Sequence, residues 1–181
     1  MKKLYLLFFS FFIILHTHSI FSQEKATGPV IEEYGPVYKV VNPDFKVDTS
    51  TELKVVFDVM NSPDDKGSIN ASIETAARFF NMHAQAGIPL NQLHAALVVH
   101  NKAAKDIMTN EAYREKYQRD NPNLKLINLL IDSGVQVVFC GQSAAARGVS
   151  KEEMIPRVQV SLSAMTALIQ LQNQNYRLIK F

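Results

Sequence analysis

The sequence predicts a small α/β domain in which about five mostly parallel strands are covered by helices on both faces. Runs rich in Val, Ile, Leu and Phe alternate with stretches whose apolar residues recur at helical spacing. The strand-like runs are apolar at successive positions, the pattern of strands buried on both faces. Gly, Pro and Asn punctuate the junctions. Strand, helix, strand alternation needs crossover connections, hence parallel pairing and a doubly wound sheet.

The first strand is read over residues 53–60, stopping at the turn Asn61-Ser62-Pro63-Asp64-Asp65. Ser68 is placed to cap the next segment, where Ile69, Ile73, Ala76, Ala77, Phe80 and Ala84 share one helical face until Gly87 and Pro89 end it. Residues 93–100 form a second strand and one or more helices follow between Ala103 and Ser133. Gly134 then turns the chain into a third strand over residues 135–140. Gly141, Gln142, Ser143 and three alanines open a short helix, and residues 158–160 suit a short fourth strand. Leu162, Met165, Leu168, Ile169 and Gln172 mark an amphipathic helix whose apolar stripe is read as core packing. Residues 176–181 close the chain as a strand.

Two segments precede this domain. Met1-Lys2-Lys3 followed by a nearly unbroken apolar run to Leu15 has the layout of a secretory signal, with a cleavage point at Ser22. The run is shorter than the about 20 residues a permanent span needs, so no stable membrane insertion is expected after cleavage. Removing 22 of the 181 residues leaves 159, enough for one domain with one core. Residues 23–51 carry Gly28-Pro29, Gly35-Pro36 and Asn42-Pro43 among apolar residues, an extended arm that packs on its own domain or on a neighbouring subunit.

Charge excludes one class of partner. Without Lys2 and Lys3 the 19 basic residues fall to 17, matching the 17 acidic ones, and no basic run remains to hold nucleic acid. The sequence has no phosphate loop, dinucleotide fingerprint, Gly-x-Ser-x-Gly elbow or Cys-x-x-Cys pair, and no His or Cys set at metal-ligand spacing. No cofactor and no metal are expected.

The single cysteine, Cys140, permits no internal disulfide. In an open α/β sheet, ligands gather beyond the carboxyl ends of the strands. Asn61, His100, Lys102 and Cys140 all fall at such ends. Gly141 lets the backbone turn closely around the sulfur, Gln142 and Ser143 are potential donors to a sulfur anion, and backbone N–H groups opening a helix would raise thiol acidity. His100, Lys102 and Arg147 are the candidate cationic neighbours. Composition equally allows Cys140 to be a small hydrophobe completing an apolar strand.

The segments Lys54-Val55-Val56-Phe57-Asp58, Phe80-Asn81-Met82 with Ala86-Gly87-Ile88, Val98-Val99-His100, Val138-Phe139-Cys140-Gly141-Gln142-Ser143, Ser161-Leu162-Ser163-Ala164-Met165 and Tyr176-Arg177-Leu178-Ile179 resemble, in order and spacing, the DsrE/DsrF-like sulfur-transfer family. The resemblance implies a flavodoxin-like three-layer sandwich, assembly into trimers or hexamers, and a cysteine that takes up sulfane sulfur as a persulfide. Cys140 holds that position. It further implies sulfur donor and acceptor partners; the signal segment is the departure, since it points to an exported, periplasmic protein where the family's understood relays are cytoplasmic. Two functions are carried forward: a single-cysteine sulfur carrier or sulfurtransferase, and an oligomeric small-ligand-binding protein in which Cys140 is structural.

Overall fold

The computed structural model of the chain describes residues 24–180. The expected signal segment 1–22, its expected cleavage point before Gln23, and Phe181 lie outside the described residues. Among those described, no helix is long and apolar enough to cross a membrane.

Five parallel strands, β1 (Leu53–Val59), β2 (Leu93–Val99), β3 (Gln136–Cys140), β4 (Gln159–Ser161) and β5 (Arg177–Ile179), form one sheet. Its order is β4-β3-β2-β1-β5. The chain therefore steps in one direction from β1 to β4, then crosses the whole sheet to lay β5 beside β1. Helices α1 (Ala71–Gln85) and α3 (Leu124–Asp132) pack on one face, with α2 (Asn110–Tyr117) beyond them. Helix α5 (Ala164–Asn173) carries the return crossing over the other face, where it touches all five strands. Helix α4 (Gly141–Arg147) sits at the carboxyl edge against a 3₁₀ segment, Asn101–Ile107. This is a three-layer α/β/α sandwich.

Strand parity divides the core. Val55, Phe57, Val59, Ala95, Leu97, Val99, Val137 and Phe139 face α1 and α3, while Val56, Ala96, Val98, Val138 and Cys140 face α5. The second cluster is much the smaller because its cover is one helix contributing Ala164, Ala167 and Leu171.

Two helix starts follow competing hydrogen bonds. Ser68 does not cap α1, because its hydroxyl donates to Asp65 Oδ2 at 2.6 Å inside the preceding turn. Asn70 caps instead, its Oδ1 accepting from the Ser72 N–H at 3.0 Å. Asn123 opens α3 without a side-chain cap, since its amide is spent on fully buried Asp106 and on the Asn70 N–H. Asp106 also accepts from Ser62, Asn70 and Lys105, so a buried charge is fully partnered and ties the end of β1 to the starts of α1 and α3.

The arm divides in two. Residues 26–37 fold onto α1: Ala26 and Val37 bridge, and Ile31, 2% exposed, enters the larger core cluster. Fully buried Asn81 secures this half, accepting from the N–H groups of Val30 and Ile31 and donating to the carbonyls of Ile31, Tyr34 and Gly35. Gly35, at φ +68°, passes so close to α1 that a Cβ would stand 2.5 Å from the Arg78 nitrogen. Beyond Val37 the arm leaves the surface, and Tyr38, Val40, Val41 and Phe45 are exposed.

The stripe expected to pack in the core divides: Leu168 packs on the smaller cluster, while Met165 and Ile169 of α5 and Leu162 just before it do not. Leu162, Met165 and Ile169 are 74%, 73% and 58% exposed, while the intervening Ala164, Ala167 and Leu171 meet the sheet. Helix α5 is thus apolar on two opposite faces.

Candidate functional site

The carboxyl ends of β1, β2 and β3 share one edge of the sheet, and parity decides which side chains meet there. Val99 pairs with Phe139, so the next residues, His100 and Cys140, stand side by side at the strand ends. Cys140 points to the α5 face. Asp58, between Val56 of that face and Val59 of the other, points the same way.

Cys140 is both the last residue of β3 and the one preceding α4, and it is 5% exposed. Burial pushes its pKa up. The Ser143 N–H and hydroxyl, the Ala164 N–H and the Gln142 N–H act against burial and prevail, holding the thiol below its ordinary value. Two of these N–H groups open α4 and one opens α5, so two helix starts converge on one sulfur. Such an arrangement stabilises a thiolate, or any sulfur anion in its place.

Gly141 makes the convergence sterically feasible. A Cβ there would lie 2.6 Å from the Ser161 carbonyl oxygen, so only glycine lets the end of β4, and α5 behind it, come this near. The Gln142 amide donates to the Leu162 carbonyl at 3.3 Å and braces the same contact. Ser143 works in two directions, since its oxygen also accepts from the Asn101 N–H at 2.9 Å.

His100 makes no hydrogen bond to the sulfur. Its Nε2 lies 2.7 Å from Asp58 Oδ1, and Lys180 Nζ reaches Asp58 Oδ2 at 2.8 Å. Burial pushes the Asp58 carboxyl up, but the hydrogen bonds from Lys180 and His100 outweigh it and hold the group below the usual carboxylate value. Strand order reverses between β1 and β5, the type of position where open α/β sheets gather ligands, and Asp58 and Lys180 stand there.

Of the residues singled out from sequence, Cys140, Gly141, Gln142 and Ser143 form one cluster, with His100 beside it. Asn61 does not join them: its side chain is exposed and its carbonyl accepts from Asn70. Lys102 is exposed and lines a separate cavity with Arg147, which occupies the far end of α4, about 10 Å along the helix from Cys140. Asp58, Lys180 and Ala164 were not among the site residues read from the sequence. For Asp58 a signal existed, an acid inside a strand otherwise apolar on both faces.

A larger cavity, of about 1010 Å³, lies elsewhere, between α1 and the unroofed β1–β5 side of the opposite face. Val55, Phe57, Phe79, Met82 and Ile179 line it, and its reach back to Glu52 and Leu53 places it away from the strand ends.

The DsrE/DsrF-like family model matches residues 54–181. No curated protein matches the chain. Among solved structures, MTH1491, a protein of unknown function from Methanobacterium thermoautotrophicum, is 16% identical with a TM-score of 0.53, over 72% of this chain and 100% of that one. The ychN protein from E. coli is 18% identical with a TM-score of 0.49, over 71% of this chain and 99% of that one. At 16% identity the first likeness concerns the fold alone. The match across nearly the whole domain makes this chain a member of the DsrE/DsrF-like family.

Proposed function

We propose that this protein is an exported sulfur carrier, working in the periplasm, that takes up sulfane sulfur as a persulfide on Cys140. Family membership implies a sulfur-relay role. The observation that supports the finer reading is the convergence of the α4 and α5 N–H groups and the Ser143 hydroxyl on a single thiol whose acidity they raise. Export rests on the composition of residues 1–22.

In the forward step the Cys140 thiolate attacks the terminal sulfur of a donor persulfide. A new S–S bond forms at Cys140, the donor's S–S bond breaks, and the electron pair leaves on the donor as its thiolate. Transfer to an acceptor thiolate is the same exchange reversed in sense, and it regenerates the Cys140 thiolate. Sulfane sulfur moves and no external oxidant or reductant is consumed. The N–H groups that favour the thiolate also suit the persulfide anion, and His100, oriented by Asp58, is the nearby group able to hold or give a proton.

The protein acts as a homo-oligomer, a trimer or hexamer, with the outer face of α5 as the contact between copies. Leu162, Met165 and Ile169, solvent-exposed at helical spacing, support this surface.

A second reading is supported by the burial of Cys140: the thiol is structural and the protein binds a small apolar ligand in the 1010 Å³ cavity between α1 and β5. Intact-mass measurement after incubation with polysulfide, or with thiosulfate and a sulfurtransferase, separates the two. The carrier gains the mass of one sulfur and Cys140→Ser does not. Absence of that gain with every donor would sink the carrier reading.

A further inference from the structure

Lys102, Lys105, Lys116 and Arg147 converge on a cavity of about 230 Å³ that no carboxylate lines among the described residues. Asn101 and Tyr117 complete its polar wall. Two of the four, Lys105 and Lys116, have a carboxylate partner outside the cavity, and Lys102 and Arg147 do not.

Lys105 is paired with buried Asp106 at 2.9 Å. Lys116 stands 3.5 Å from Glu153, whose other oxygen accepts from the Ser150 N–H at 2.6 Å. Arg147 donates at 2.6 Å to Asn101 Oδ1, a neutral partner. Lys102 is exposed and has no hydrogen bond or ion pair among the described residues. Two positive charges, Lys102 and Arg147, remain uncompensated at the cavity mouth.

Asn101 connects this cavity to the cysteine. It adopts φ +53°, and that left-handed turn aims its N–H at Ser143 Oγ while its side chain meets Arg147.

We propose that this cavity is a binding site for a small tetrahedral oxyanion, of the sulfate, thiosulfate or phosphate class, set one helix length behind Cys140. The volume falls below the about 300 Å³ at which pockets for drug-sized ligands begin, so the occupant is an ion or a terminal oxyanion group. Arg147 supplies a planar fork and the lysines supply point charges, the combination that recognises such groups.

The test is calorimetric or NMR titration of the full-length folded protein with sulfate, thiosulfate and phosphate in turn, at fixed ionic strength to remove general screening. Saturable binding is expected, weakened about tenfold or more by Lys102→Gln and by Arg147→Gln, and unchanged by Lys151→Gln elsewhere on the surface. Both altered side chains are exposed, so equal melting temperatures without anion confirm that the variants are folded. Ranking the three anions identifies the class that the site prefers. A non-saturable response, or an affinity indifferent to Lys102→Gln and Arg147→Gln, overturns the proposal. Cys140→Ser leaves binding intact, which separates this outcome from failure of the sulfur-carrier reading.

Discussion

Asp58 and His100 come from neighbouring strands 42 positions apart, yet their side chains meet at 2.7 Å on the face that also carries Cys140. The pair is neither wholly buried nor free: the Asp58 side chain is 9% exposed and the His100 side chain 20%. A carboxylate held there must keep its partners, because an unpaired charge at that depth costs more than a neutral gap.

This pair predicts an acid limb in stability. The Asp58 pKa is depressed in the folded state, so its contribution is complete above its unfolded pKa, about 3.9. That contribution is lost as pH falls through the lower folded value. Asp58→Asn is expected to cost about 1–3 kcal/mol at neutral pH and to flatten the fall of stability below pH 4. Urea unfolding across pH 3 to 7 measures both, and an unchanged acid limb in the variant would assign that limb to other carboxylates.

Cys140 alkylation should follow a pH profile whose midpoint lies below that of an ordinary thiol, because the N–H groups and the Ser143 hydroxyl favour the thiolate. Ser143→Ala removes one of these donors and moves the midpoint up. Rates with iodoacetamide, normalised to the unfolded protein, separate acidity from access. A midpoint at or above the free-thiol value would remove the electrostatic case for a reactive Cys140.

Asn81→Ala should release the first half of the arm. The substitution strands the N–H groups of Val30 and Ile31 and deletes three donated hydrogen bonds, at a cost of about 2 kcal/mol or more. Limited proteolysis is the direct readout: cuts between Lys25 and Lys39 appear in the variant well before the domain is degraded. Equal protection of variant and wild type would mean that Ile31 packing alone holds the arm.

Met165→Asp and Ile169→Asp place charge on the outer face of α5. Since both side chains are solvent-exposed, the fold of a single copy should change by no more than about 0.5 kcal/mol. Sedimentation should show a trimer or hexamer for wild type and monomers for the variants. Persistent assembly in both variants would move the contact between copies elsewhere.

Strands β1, β2 and β3 were legible in the sequence because burial on both faces leaves long apolar runs, whereas β4 and β5 are short and exposed. What periodicity does not convey is which element lies opposite. On α5 it marks the large exposed residues Met165 and Ile169 along with Leu168, whereas the sheet is met by Leu168 and Leu171 and by Ala164 and Ala167, small residues that stand out on no hydropathy plot. Strand ends were equally legible, but a single position of parity separates Asp58, beside His100, from Asn61, which the alternation assigns to the other side. The left-handed Asn101 then turns Lys102 away from the thiol. Ser68 and Asn70 are both good caps, and only the competing Asp65 carboxylate decides between them.

The pairing of β5 with β1 makes the last residues of the chain part of the site. Lys180 must reach back 122 positions to Asp58, and the Ala164 N–H that faces the sulfur belongs to the crossing that delivers β5. A chain ending after α4 keeps the Ser143 and Gln142 donors beside Cys140, but its α5 face stays bare and the thiol lacks both its cover and the Ala164 N–H. Loss of the segment from α5 onward therefore yields a molecule that keeps the cysteine and only part of its surroundings, with Asp58 also deprived of Lys180.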